Sequence, residues 1–239
     1  MVRKTAITLA VAFSAVLAAA ATVSKRIVGG EEANEGEFPS IVRLHYEDPT
    51  VLCGGSLLDS TTVLTAAHCK PKRVTSVRAG SLDKESGGVV AEVESVVVHP
   101  DYKVFVGDVN NDIAILKLST PIEESETISY AKLPASGSSP VIDSIAVAAG
   151  WGGTDKLFKV AKEILAIDSN SCFVINPVEL PDTKVCAGGT NGDTGRGDSG
   201  GPLIDQETGQ LIGITSFGPR YTKVGSYIPF IIDGVERAV

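Results

Sequence analysis

Long apolar runs are missing from this chain beyond residue 21. No later segment reaches the roughly 20 residues that a membrane-crossing helix needs, so no helical span is expected there. Aromatic residues make up only 5% of the chain while there are 25 glycines, a balance that favours strands and turns over a helical bundle. Positive charge is also short. The net charge is −8, and residues 1–26 hold four cations (Arg3, Lys4, Lys25, Arg26) and no acid, so the remainder carries −12. A surface this acidic argues against nucleic-acid binding. Only three histidines and four cysteines are present. His68 and Cys69 are adjacent, but no second close pair of ligands joins them, so neither a zinc site nor any other cofactor is expected. There is no N-x-[ST] sequon, which excludes the usual N-glycan acceptor, and no tandem repeat or long low-complexity tract.

What the N-terminus does have is an export pattern. Arg3 and Lys4 precede an apolar run from Ala6 to Ala21, with Ala18-Ala19-Ala20 as a small-residue cleavage site. This reads as a secretory signal over 1–20 rather than a membrane anchor, because 16 residues interrupted by Thr8 and Ser14 are short for a span. An extracellular protein is therefore expected. Export gives an even cysteine count the meaning of disulfides. Four cysteines allow three pairings, and spacing alone does not choose among them. If neighbours pair, Cys53–Cys69 and Cys172–Cys186 each close a loop of about 15 residues, worth roughly 3 kcal/mol in the chain-entropy model.

The body reads as short strands. "IVRLHY" (41–46), "GGSLLD" (54–59), "TTVLTAA" (61–67), "VVAEVESVVV" (89–98), "DIAILKL" (112–118), "SIAVAAG" (144–150) and "QLIGITSF" (210–217) are rich in β-branched residues and bounded by turn formers. Helical periodicity enters only in "FIIDGVERAV", where Ile231, Ile232, Val235 and Val239 share one face. Many short strands imply a sandwich or barrel. "LPASGSSPV" (133–141) is the best linker near the midpoint.

Three residues carry chemistry only in combination. His68 ends "LTAAHC", Asp112 opens "DIAILKL", and Ser199 sits in "GDTGRGDSGGP" (192–202). Alone they read as a packed histidine, a strand-edge acid and a turn serine. Together they supply the base, orienting acid and nucleophile of acyl transfer, and the glycines around Ser199 let backbone N–H groups point at a developing oxyanion.

At this point the chain resembles the trypsin-like (chymotrypsin-family) serine proteases. "IVGG" (27–30), "CGGSLL" (53–58), "TAAHC" (65–69), "NNDIAILKL" (110–118), "AGWG" (149–152), "CAGG" (186–189), "GDSGGP" (197–202) and "YTKVGSYIPFI" (221–231) fall in family order. The order His68, Asp112, Ser199 is also the family's. The resemblance spans about 27–239. It implies an all-β fold of two packed six-stranded antiparallel β-barrels with a short C-terminal helix, the halves covering about 27–132 and 142–226. It implies Cys53–Cys69 beside the base, and an oxyanion hole from the N–H groups of Gly197 and Ser199. Residues 21–26 become an activation propeptide. Cleavage after Arg26 frees the Ile27 amine to pair with Asp198. The "RGD" at 196–198 is then part of the oxyanion turn and not an adhesion motif.

The resemblance further implies a specificity pocket with Asp193 at its base and Ser216 and Gly218 in one wall, and hence cleavage after Arg or Lys. The expected partners are protein or peptide substrates and protein protease inhibitors, with no nucleic acid and no membrane, for a monomer. The chain departs from the family near this pocket. Gly195 replaces a usual cysteine, Phe217 a usual tryptophan, and only Pro219 and Arg220 join "ITSFG" to "YTKV". That shortening is expected to bring Arg220, or Arg196, within pairing distance of Asp193. It also raises the alternative of an impaired homologue that binds or inhibits without cutting.

Overall fold

The computed structural model describes residues 30–166, 172, 182–188 and 193–236. Strands come in chain order as β1 (Glu31–Glu32), β2 (Ile41–Tyr46), β3 (Cys53–Asp59), β4 (Thr62–Thr65), β5 (Val74–Ala79), β6 (Val89–Val98), β7 (Lys103–Phe105), β8 (Asp108–Asn110) and β9 (Ala114–Leu118). After the linker follow β10 (Ile145–Gly150), β11 (Phe158–Leu165), β12 (Lys184–Gly188), β13 (Pro202–Asp205), β14 (Leu211–Phe217) and β15 (Arg220–Lys223). The one α-helix among the described residues, α1 (Ile228–Glu236), comes last.

Two closed antiparallel barrels result. The first runs β2-β3-β4-β9-β6-β5 and closes on itself. The second runs β11-β10-β13-β14-β15-β12 and closes through β11–β12 pairing, with β1 added outside on β11. Closure removes the unpaired edges that an open sheet would expose. The β7–β8 hairpin projects from the first barrel, and its tip is bare: Val106 is fully exposed.

The first core is the larger. Leu44, Leu57, Leu64, Ile115 and Leu116 fill it, and Val224, Tyr227, Ile228 and Ile231 extend it from the C-terminal segment. Thus α1, though last in the chain, packs on the first barrel. Gly234 is needed for that approach, since a Cβ there would sit 2.2 Å from Ile115 Cδ1. Ile232 faces solvent, half exposed, instead of sharing the buried face of Ile231. Val239 lies outside the described residues.

The second core holds Ala146, Ala148, Ala187 and a few larger groups such as Val160, Ile164 and Tyr221. In β11 the alternation turns Val160, Lys162 and Ile164 inward while Ala161 and Glu163 face out. Lys162 therefore stands in an apolar row, 1% exposed.

Both disulfides join chain neighbours, Cys53 to Cys69 and Cys172 to Cys186. Cys69 closes the short 3₁₀ turn Ala67–Cys69 that follows β4, so its bond to β3 fixes the residue beside it, His68. The sequence separation is 16, for which the chain-entropy model gives about 3 kcal/mol. Replacing Cys53 and Cys69 together by Ala is expected to lower stability by about that amount. Urea unfolding of the variant beside the parent checks it, and an unchanged midpoint would contradict it. No helix among the described residues is long and apolar enough to cross a membrane.

Candidate active site

His68 comes from the first barrel on its 3₁₀ turn, and Asp112 from the segment between β8 and β9. Asp112 is wholly buried. Its Oδ2 accepts from His68 Nδ1 at 2.7 Å, and its Oδ1 from the His68 backbone N–H at 2.8 Å. The Ser216 hydroxyl, from β14 of the second barrel, donates to the same Oδ2 at 2.5 Å. Burial alone would raise this carboxyl. The His68 ring, the Ser216 hydroxyl and the His68 amide outweigh burial, and the net shift is below the ordinary aspartate range. The acid stays ionised. Because a carboxylate only accepts, the ring must carry its proton on Nδ1, which leaves Nε2 as the basic nitrogen.

Ser199 is held by backbone. Its carbonyl accepts from Gly54 N–H at 2.8 Å, tying the second barrel's loop to β3. Gly200 has φ +77°, and a Cβ there would lie 2.3 Å from Thr65 Oγ1 and 2.5 Å from Gly54 O. Gly197 has φ +106°, and its Cβ would lie 2.3 Å from Gly152 O. The glycines of 197–201 thus let one loop lie against both barrels at a conformation other residues resist. Among the described residues, neither the Gly197 nor the Ser199 N–H donates a hydrogen bond. Ser199 is half-buried and forms no hydrogen bond to His68. In unliganded enzymes that contact is commonly long and tightens with substrate.

Asp198 turns inward. It is fully buried, which removes the "RGD" stretch as an adhesion surface. Its Oδ2 accepts from Gly195 N–H at 2.8 Å, whereas Oδ1 is buried with no partner. Burial pushes this carboxyl up to about 6, with the Asp193 charge adding to the effect and amide donors at Gly195 and Gly152 opposing it. Gly150 makes room for it, since a Cβ there would come within 2.2 Å of Oδ1. Arg26 and Ile27 lie outside the described residues.

The residues named for the specificity pocket have these surroundings. The Ser216 hydroxyl is turned to Asp112. Gly218, at φ +62°, and Pro219 form the tight turn between Phe217 and Arg220. Arg220 does not reach toward Asp193. Its guanidinium pairs with Asp108 Oδ2 at 3.1 Å, donates to the Gly107 carbonyl at 2.9 Å and lies 5.6 Å from the Phe217 ring centre. Nor does Arg196, which is exposed. The shortened loop lets the β7–β8 hairpin of the first barrel meet Arg220 instead.

Asp193 does have a partner. Lys162 Nζ donates to Asp193 Oδ1 at 2.6 Å, and the Thr194 N–H donates to the same oxygen at 2.8 Å. Sequence reasoning missed Lys162 entirely, although a lysine at an inward strand position is itself a signal. Cys53, His68 and Cys69 bring ligand atoms close together, but both sulfurs are committed to the disulfide and leave no thiolate for a metal.

A family model described as Trypsin matches residues 27–234. The chain belongs to the trypsin family. It is 33% identical over 256 residues to "CLIP domain-containing serine protease B4" of Anopheles gambiae, covering 89% of this chain and 71% of that one. It is likewise 33% identical over 230 residues to "Trypsin" of Saccharopolyspora erythraea, covering 88% of this chain and 98% of that one. This trypsin-family protein is a serine endopeptidase, and its substrates are proteins or peptides.

Proposed function

We propose that the protein is secreted as an inactive precursor, is activated by cleavage after Arg26, and cuts peptide bonds through Ser199, His68 and Asp112. The observation that carries this reading is the His68–Asp112 pair at 2.7 Å, with an ionised acid on one side of the ring and a basic Nε2 on the other. Ser199 Oγ attacks the substrate carbonyl, and His68 takes its proton and later gives it to the leaving amine. Asp112 fixes the tautomer and stabilises the imidazolium. The undonated N–H groups of Gly197 and Ser199 receive the oxyanion. One chain supplies every group, so a monomer suffices. A protein loop that fills the same cleft would act as an inhibitor. Cleavage after Arg or Lys is the preference that the family resemblance attaches to Asp193, whose carboxylate also pairs with Lys162 at 2.6 Å; kcat/KM for matched peptides with Arg, Lys, Ala or Phe at the cleaved position checks it.

Residues 1–20 act as the export signal and 21–26 as the propeptide. The support for activation is Asp198, a buried carboxylate with one oxygen unpartnered and its pKa raised. Such a group is stabilised by a cation. The Ile27 amine, freed by cleavage, supplies one. Active secreted protein is expected to begin at Ile27 by N-terminal sequencing, and an active species that begins earlier would refute the scheme.

A pH test follows for the uncleaved chain. A carboxyl raised from 3.8 to about 6 stabilises the fold at low pH, and that contribution is lost as pH rises from about 4 through 6. Two units correspond to about 3 kcal/mol at most. An uncleavable Arg26→Gln chain should lose stability over this window relative to the same chain with Asp198→Asn. The protein cleaved after Arg26 should not. Denaturant midpoints at pH 4.5 and 7 check it.

A further inference from the structure

We propose that Lys184 and Arg220 are positioning residues for Asp112: two buried cations of the second barrel grip the first barrel's chain at residues 107–109, just ahead of the acid, and so set the geometry of the His68–Asp112 bond. The inference deepens the proteolytic reading above and rests on it.

Asp112 needs such support because no strand ladder holds it. It lies between β8 and β9, at the corner of a three-residue turn in which the Ile113 N–H donates to the Asn111 carbonyl at 2.9 Å. Asn111, just before it, has φ +51°, a left-handed conformation that a non-glycine residue keeps only when its surroundings enforce it. Its Oδ1 accepts from the Tyr227 hydroxyl at 2.9 Å, and its Nδ2 donates to the Asp101 carbonyl at 2.8 Å. Those bonds hold the turn. The chain that enters it comes from the β7–β8 hairpin, whose tip is bare.

The second barrel supplies the rest. Tyr221 and Val185 turn into its core, so on the paired strands β15 and β12 the alternate residues Arg220, Thr222 and Lys184 face the other way. Together they follow the chain toward the acid. Arg220 pairs with Asp108 and donates to the Gly107 carbonyl. Lys184 donates to the Val109 carbonyl and lies 3.9 Å from Asp108. Thr222 Oγ1 donates to the carbonyl of Asp112 itself at 3.0 Å. Both cations are buried. Burial pulls the Lys184 ammonium below the ordinary lysine range, Arg220 adds to that, and the charges of Asp108 and Asp112 oppose it. A buried cation is tolerated only where it meets its partners. A slip of the hairpin would strand two of them, so the pair fixes where residues 107–109 lie. The 2.7 Å bond from the His68 ring depends on that placement. A displacement of about 1 Å is enough to cost on the order of 10² in rate.

The test uses the protein cleaved after Arg26. Lys184→Met and Arg220→Gln remove each charge at similar length. Each is expected to lower kcat at least tenfold on one good peptide substrate with KM little changed, because substrate still binds while the acid is misplaced. Nitrogen NMR of isotope-labelled histidine reads the tautomer of the neutral His68 ring. Wild type should carry the proton on Nδ1, and both variants should show a mixture with Nε2. Asp108→Asn combined with Arg220→Gln should cost no more than the larger single loss, since the two act as one contact. Lys223→Met is the control. That buried lysine is also on β15 but is held by Asp182 and Ser139, and its loss should lower the urea midpoint without moving kcat or the tautomer. Merely structural cations would behave as Lys223 does. Unmoved kcat and tautomer in both cation variants, or equal losses in Lys223→Met, would overturn the proposal. Reaction with a neutral fluorophosphonate separates the two levels, since an unlabelled Ser199 in wild type defeats the proteolytic reading while the tautomer still decides the positioning.

Discussion

Ser199→Ala should abolish nearly all peptide turnover, a loss on the order of 10⁶ in kcat, while the fold is retained. Ser199 lies half-buried in a loop fixed by its carbonyl and by the flanking glycines rather than by its hydroxyl. Removing one oxygen therefore leaves the loop's supports in place. His68→Ala should lose about as much, and so should the double variant, because attack needs both groups in one step and either deletion ends it. The expected surplus is a residual rate from the Gly197 and Ser199 amides. The measurement is kcat on a good peptide substrate for both single variants and the double. Losses that multiply in the double variant would mean that the two residues act separately.

The second large effect is Asp112→Asn, expected to lower kcat by about 10⁴. The carboxylate receives three donors: the His68 ring, the His68 amide and the Ser216 hydroxyl. A carboxamide has one acceptor oxygen, and its NH₂ cannot receive any of them. The oxygen can satisfy the backbone amide, which cannot rotate away. The NH₂ then faces the ring, and Nδ1 becomes the acceptor. The proton moves to Nε2, where it blocks the base that Ser199 needs. Volume is unchanged, so unfolding should stay cooperative with a modest shift in midpoint. Asp112→Asn with kcat within tenfold of the parent would show that Asp112 does not set the tautomer.

Several strands are legible from local chemistry. β2, β6 and β14 announce themselves by β-branched runs between turn formers. The β11 strand does not, because Lys162 interrupts its apolar alternation, and a lysine at an inward position reads locally as solvated. The short strands β12 and β15 are similarly hidden by Lys184, Arg220 and Lys223, all buried. The helix was legible in place but not in facing, since Ile232 points to solvent while Gly234 makes the close contact.

The sequence by itself determined the residue types of the site and their order, the glycines that let the Ser199 loop close, and the strand-rich composition. These depend on neighbours within a few positions, where backbone sterics and hydrophobic periodicity act directly. Only the tertiary structure decided the partners of the buried charges. Lys162 meets Asp193 across 31 positions, and Arg220 meets Asp108 across the cleft from the other barrel. No local rule selects such a pair. Burial makes an unpaired charge costly, and barrel closure decides which opposite charge is near enough to relieve it.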